Sequence, residues 1–175
     1  MKDYLSFETE RLNMIPTSKE DATFIYELMN SPKWIKFIGD RKIRTVKDAE
    51  EYIDVRMRPQ LERVGFSVYT LVRKSDQAKI GICCLIDREE LEGIDLGYAL
   101  LPDHEGAGYA QEASEKMIAV GFEEFGLPNL YAITNPTNKA SQKLLQKLGF
   151  ISIGDLQLVD EKIPDRLYEL KSNWK

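Results

Sequence analysis

Hydrophobic and polar positions follow two different periods along this chain, and each change of period predicts a change of element. Arg11 to Pro16, RLNMIP, reads as a short first strand. Ser18 followed three residues later by Asp21 then has the form of a capping box opening a helix. Ala22, Ile25, Leu28 and Met29 give that helix one apolar stripe. Pro32 and Gly39 interrupt the pattern, so the stretch holding Trp34, Phe37 and Ile38 is expected to be a loop whose large apolar residues cap the core or wall a substrate pocket. Thr45 and Asp48 repeat the capping pattern, and Val46, Ala49, Ile53 and Met57 continue at helical spacing until Pro59 kinks or interrupts the helix.

Three β-rich runs follow: Phe66 to Arg73, Lys79 to Ile86, and Ile94 to Leu101. The polar connections between them are short enough for hairpins, so they predict an antiparallel meander. After a loop containing Gly106 and Gly108, the positions Ala110, Ala113, Met117, Val120, Gly121 and Phe125 describe a helix facing the sheet. Leu130 to Thr134 is a further strand. Ala140, Leu144 and Leu148 share a helical face, with Gly149 placed as its C-terminal cap, and two last extended segments begin at Phe150 and at Arg166. The predicted order is strand, two helices, three strands, helix, strand, helix, two strands. No linker, repeat or low-complexity stretch divides residues 1–175, so one domain is expected.

Composition narrows the function classes. With 43% hydrophobic and 30% charged residues, the chain has the make-up of a soluble globular protein rather than a disordered or fibrous one. The net charge of −5 makes nucleic acid and anionic membrane poor partners, since both are usually met by a basic face. No apolar run approaches the length of a membrane span and the N-terminus lacks a signal-peptide core, so a cytoplasmic protein is expected. Cys83 and Cys84 are adjacent within a strand, where they would point to opposite faces as reduced packing residues. No metal-ligand spacing occurs. The single histidine, His104, sits in a polar loop, and no serine or cysteine motif joins it in a hydrolytic triad.

The stretch PDHEGAGYAQEA, Pro102 to Ala113, carries the chemistry. A strand end, two glycines and a helix start place unpaired backbone N–H groups at the positive end of a helix dipole, which is a cradle for an anion. Diphosphate suits several such N–H groups better than one carboxylate. The P-loop pattern is absent, and a dinucleotide fingerprint fails because the third glycine position is Gln111. A third possibility is the pyrophosphate loop of acyl-coenzyme A enzymes.

There the resemblance becomes specific. IDLGYALLPDHEGAGYAQEA resembles the central motif of the GNAT superfamily of N-acetyltransferases in its RimJ/RimL-like branch. NKASQKLLQKLGF is similar to that branch's second motif, and ETERLNMIPTSKEDA to its opening strand and helix. The resemblance runs from about Glu8 to Leu170. It implies an α/β (α+β) fold with a mixed, mostly antiparallel sheet of about seven strands flanked by about four helices, and a splayed strand pair that grips the pantetheine arm. It also implies acetyl-CoA as donor and an amine acceptor, either a small molecule or a protein N-terminus. Dimers are frequent in the family, so a homodimer is an expectation.

Carried onto this chain, the resemblance gives the backbone of Ala99, Leu100 and Leu101 to pantetheine. Gly106, Ala107, Gly108, Tyr109 and Ala110 would cradle the pyrophosphate, with Asn138 and Ser141 near the thioester. Glu105 and Ala107 stand where the family pattern favours Gln or Arg and a basic residue, which removes positive charge beside the expected anion. Leu145 stands where many members place a tyrosine, leaving Ser141 as the candidate proton donor. Asp95 matches the family's acidic position and shares a strand face with Gly97 and Ala99, which makes it the candidate base or substrate clamp; Tyr98, on the opposite face, is expected in the core. Trp34, Phe37 and Asp40 are candidate acceptor-binding residues, an apolar wall with one carboxylate for an ammonium group. The alternative is a catalytically idle CoA-binding or interaction domain in which Glu105, Ala107 and Leu145 record lost chemistry.

Overall fold

The computed structural model describes residues 4–158 and 163–172. The chain begins with a two-residue strand, β1 (Phe7–Glu8), and then β2 (Leu12–Pro16). Asp21 accepts from the Ser18 N–H at 2.9 Å, so the predicted cap is used. A single 3-10 turn leads from it into α1 (Ala22–Met29).

Helix α2 (Pro32–Phe37) corrects the expected loop. Proline at the first helical position needs no N–H partner and arrives with helical φ, so Ser31-Pro32 is a start rather than a break. Helix α3 (Val46–Tyr52) opens on the predicted box: Asp48 N–H donates to Thr45 Oγ1 at 3.1 Å and Thr45 N–H to the Asp48 carboxylate at 2.8 Å. It runs through a π-helical turn at Ile53–Met57 into α4 (Arg58–Val64). The widened turn lies just before Pro59, whose missing N–H and bulky ring disrupt the regular ladder there.

Strands β3 (Val68–Arg73), β4 (Lys79–Asp87) and β5 (Ile94–Leu100) form the meander. Helix α5 (Tyr109–Glu123) crosses to β6 (Asn129–Thr134), α6 (Lys139–Lys147) follows, and β7 (Ile151–Leu156) and β8 (Asp165–Lys171) close the chain. The sheet has eight strands in the order β1-β2-β3-β4-β5-β6-β8-β7. All neighbours are antiparallel except β5 and β6.

The sheet separates two cores. On one face, Met117 and Ile118 of α5 and Leu145 and Leu148 of α6 pack against Leu71, Leu85, Leu96 and Leu130. On the other, Ile25 and Leu28 of α1, Trp34 of α2 and Ala49 of α3 pack against Val68, Ile82 and Cys84. Burying each large aliphatic side chain contributes roughly 1.5–3 kcal/mol, so both layers are needed to hold the sheet. Strand alternation sends Cys83 into the first core and Cys84 into the second, both as free thiols, as the sequence predicts. Among the described residues no helix is long and apolar enough to cross a membrane.

Candidate functional site

The parallel pair β5/β6 holds together over two positions only, Ile94 opposite Leu130 and Asp95 opposite Tyr131. Beyond them β5 stays with β4 as far as Leu100, while β6 stays with β8 as far as Thr134. The two strands therefore diverge, leaving facing backbone edges without a partner strand. A β edge of this kind receives an extended, amide-bearing ligand by strand-like hydrogen bonding.

Backbone direction decides which residues offer that edge. Leu101 donates its N–H to Ile80 O at 2.9 Å, and its carbonyl accepts from His104 N–H at 3.0 Å, so both of its backbone groups are already used inside the chain. A Cβ built on Gly81 would meet Ala99 O at 2.4 Å, which shows the Ala99 carbonyl turned toward β4. Leu100 and, two residues earlier, Tyr98 therefore face the opening. Of the predicted trio, Leu100 keeps a free edge, while Ala99 and Leu101 are directed to β4.

At the head of α5, Gly106 and Gly108 both adopt left-handed backbone, with φ of +76° and +83°. Their permissive backbone is required here, since a side chain at positive φ is strained. The helix begins at Tyr109, with Gly108 as its cap. The N–H groups from Gly106 through Gln111 find no hydrogen-bond acceptor among the described residues; the first to do so is Glu112, which donates to Gly108 O at 3.0 Å. The predicted cradle residues Gly106, Ala107, Gly108, Tyr109 and Ala110 thus stand together as consecutive unused donors at a helix start.

The missing positive charge is supplied from elsewhere in the chain. Arg11, at the start of β2, donates Nη1 to Ala107 O at 2.9 Å and Nε to Glu112 at 2.6 Å, and its guanidinium lies 4.3 Å from the Tyr109 ring centre. Arg73, at the end of β3, reaches the same ring at 6.0 Å and His104 Nδ1 at 3.4 Å, while pairing with Asp76. Lys33 of α2 pairs with Glu105, so the unfavourable loop carboxylate is neutralised. Sequence reasoning missed all three cations because none lies near the loop in the chain. Strand pairing brings two of them together: Leu12, the neighbour of Arg11, is the register partner of Arg73.

Asp95 lies at the point of divergence, 2% exposed. Its Oδ2 accepts from Arg88 Nε at 2.5 Å, while Oδ1 is buried and has no partner in hydrogen-bonding geometry among the described residues. Burial pushes the carboxyl above the usual aspartate range. The Arg88 charge and, more weakly, the Ile133 N–H oppose that shift without cancelling it. Asp95 shares its face with Gly97, where a Cβ would meet Cys84 Sγ at 2.9 Å, so it looks toward the α1–α4 layer.

Ser141 belongs to the other face. Its Oγ lies 3.1 Å from the Tyr98 hydroxyl, and its N–H donates to Asn138 Oδ1 at 3.2 Å. Asn138 is therefore the N-cap of α6. Tyr98 is more than the core residue expected: its hydroxyl is committed to Ser141, and burial pushes its pKa up to about 12. Leu145 is buried in the α5–α6 core. No contact joins Asp95 to Ser141; they flank the divergence from opposite faces of β5.

The expected acceptor wall is not assembled as predicted. Trp34 is 7% exposed and packs inside the helical layer, and Phe37 is half-buried beneath the Lys36 ammonium. Asp40 is exposed and gives both oxygens to Arg44, at 3.0 and 2.5 Å, with a further bond from Lys42 N–H. The Arg44 bonds hold its carboxyl down to about 2, so it is no free clamp for an ammonium group.

Comparison with known proteins agrees with this geometry. Residues 11–151 match the family model described as an acetyltransferase (GNAT) domain. An uncharacterized N-acetyltransferase, p20, of Bacillus licheniformis is 31% identical over 164 residues, covering 93% of this chain and 90% of its own. The spermidine N(1)-acetyltransferase of Escherichia coli strain K12 is 22% identical over 142 residues, 81% of this chain and 73% of its own. The crystal structure of an acetyltransferase from Agrobacterium tumefaciens str. C58 superimposes with a TM-score of 0.80 at 22% identity, covering 97% of this chain and 96% of that one. With a family model spanning most of the chain and a relative of such identity along nearly its whole length, the protein belongs to the GNAT family of acetyltransferases.

Proposed function

We propose that this enzyme transfers an acetyl group directly from acetyl-CoA to a primary amine, of a small molecule or a protein N-terminus, as a cytoplasmic member of the RimJ/RimL-like branch. The observation that carries the reading is the junction of an opened β5 edge with a loop of unused N–H groups. The residues fit the donor at both ends. The Gly106–Gln111 amides, with Arg11 alongside, suit a diphosphate, and a Cβ at Gly106 would meet nothing within 4 Å, so the approach to that backbone is open. The free edge of Leu100 and Tyr98 suits the amide-bearing pantetheine arm. Acetyl-CoA supplies the activated acyl group as a thioester; the chain supplies position and proton control.

Asp95 Oδ1 accepts a hydrogen bond from the incoming amine and takes its proton, directly or through water. An α-amine, titrating near ~7.7–8, asks far less of this carboxylate than a lysine-type amine near ~10.4. Ser141 Oγ donates a proton to the departing sulfur and the Tyr98 hydroxyl beside it orients that donor; as products leave, water returns a proton to Ser141 and takes the amine proton from Asp95. Holding reactants together can supply ~7–11 kcal/mol, against ~10²–10⁴ in rate for an acid or base, so the cradle and the opened edge dominate. Calorimetric titration with acetyl-CoA, followed by amine-dependent thiol release, tests the assignment. Micromolar binding with release supports it, whereas binding without release from any amine would revive the idle-domain alternative.

A further inference from the structure

Half of the Asp95 carboxylate is already committed, its Oδ2 accepting from Arg88 Nε. We infer that Arg88 is the positioning residue for Asp95: by holding Oδ2 it leaves Oδ1 as the carboxylate oxygen that remains to accept from the amine. The inference rests on the acetyl-transfer reading for its catalytic meaning, and on the 2.5 Å Arg88 Nε–Asp95 Oδ2 contact for its geometry.

The placement is specific. Arg88 begins the β4–β5 hairpin, and Asp95 occupies the last paired position before β5 and β6 diverge. The aspartate side chain is 3% exposed and the arginine 31%, so one partner is sealed inside while the other keeps contact with water. A carboxylate in such a place would ordinarily rotate, hydrate or protonate. A bond from Nε fixes one oxygen and with it the plane of the group. The oxygen left over, Oδ1, is the buried atom without a partner.

The surroundings leave Arg88 as the only cation that faces this carboxylate among the described residues. From β4 the Cys84 thiol faces it, and burial keeps that thiol protonated. From β6 comes only the Ile133 N–H. Glu90, in the hairpin, acts on Arg88 and reinforces its charge. No ionisable group of the α1–α4 layer is in contact with Asp95. Removing the guanidinium charge therefore leaves burial opposed only by the weak Ile133 N–H, and the carboxyl must titrate at higher pH. An adjacent opposite charge lowers a carboxyl by ~1–3 pH units, so its loss should raise Asp95 by that amount.

The test compares wild type with Arg88→Met and Arg88→Lys. One readout is the Asp95 titration by carbon NMR of labelled aspartate, assigned with Asp95→Asn. The other is the pH profile of kcat/KM with acetyl-CoA as donor and L-alaninamide as acceptor probe. In Arg88→Met the Asp95 titration should rise by ~1–3 units and the acid limb should move with it, costing ~10–1000-fold below the new pKa and recovering above it. Arg88→Lys should stay close to wild type. Should Arg88→Met fail to fold, Arg88→Gln keeps a donor for Oδ2 without the charge and carries the same expectation. An unmoved Asp95 titration overturns the inference, as does a loss of equal factor at every pH, which is what a purely structural role would give. If the titration moves but the wild-type protein acetylates neither alaninamide nor a panel of amines, Arg88 still positions Asp95, and the acetyl-transfer reading is what fails.

Discussion

Replacing Gly108 with alanine perturbs the glycine loop at a point where two costs coincide. The residue sits at φ +83°, and forcing a side chain into left-handed backbone costs ~1–2 kcal/mol. The new Cβ would also lie 3.4 Å from Arg11 Nη2, so the guanidinium that holds the Ala107 carbonyl must give way by a few tenths of an ångström. For a protein of this size each kcal/mol lowers the melting midpoint by ~2–4 °C, giving a fall of ~2–8 °C. Binding should suffer separately. Losing one charge-assisted hydrogen bond to an anion costs ~1.5–3 kcal/mol, or roughly tenfold to a hundredfold in Kd. Differential scanning calorimetry and acetyl-CoA titration measure the two effects on the same sample. Gly106→Ala is the comparison: its φ of +76° predicts a similar loss of stability with Arg11 undisturbed, so a loss of binding there reports the methyl placed in the open approach to the loop backbone. A Gly108→Ala protein that melts earlier yet binds acetyl-CoA as tightly as wild type would falsify the cradle.

Other expectations concern separate parts of the molecule. Ser141→Ala and Tyr98→Phe each break the 3.1 Å hydroxyl pair, so each should lower turnover under chemistry-limited conditions while leaving CoA affinity unchanged. The double variant should be no slower than the worse single one, and fully additive losses would separate the two residues. Burial pushes Glu112 up, but bonds from Thr9 and Arg11 outweigh it and hold the carboxyl below the ordinary 4.5. Its stabilising contribution is thus present above that pH and lost as pH falls through the folded value; Glu112→Gln should flatten the decline of Tm between about pH 5 and 3. A decline as steep as in wild type counts against the Arg11 clamp. Asp40→Asn should leave the acceptor KM where it is, because both oxygens serve Arg44, and a severalfold rise would restore Asp40 to the acceptor site.

Apart from helix α2, elements of five or more residues were legible in the sequence because their alternation or helical spacing repeats within the element. Both capping pairs, Ser18 with Asp21 and Thr45 with Asp48, marked helix starts, and the glycines of the loop announced their left-handed backbone. Strand β1 was not legible, since two residues carry no period. Helix α2 was hidden by Pro32, which reads as a breaker in the middle of a segment and as a start signal only when it is seen to occupy the first helical position after Ser31. The loop's charge was misjudged for a different reason. Arg11, Lys33 and Arg73 reach it through strand register and helix packing, and no local window contains those relations. The same limit explains Asp95: its face could be inferred from alternation, but its bond to Arg88 depends on the shape of the hairpin between them.

The adjacent cysteines of β4 show that one sheet is a party wall between two compartments. The side carrying α5 and α6 bears the glycine loop and Ser141, while Asp95 and the α1–α4 helices lie across the wall. Neighbouring positions on one strand thus answer to different selective pressures. Descent could remodel the helices to admit new amines, disturbing the machinery that holds the donor only where Lys33 of α2 reaches Glu105. A single-residue deletion between Asp95 and Tyr98 would do the reverse, bringing both side chains to one face of β5 and damaging both halves at once.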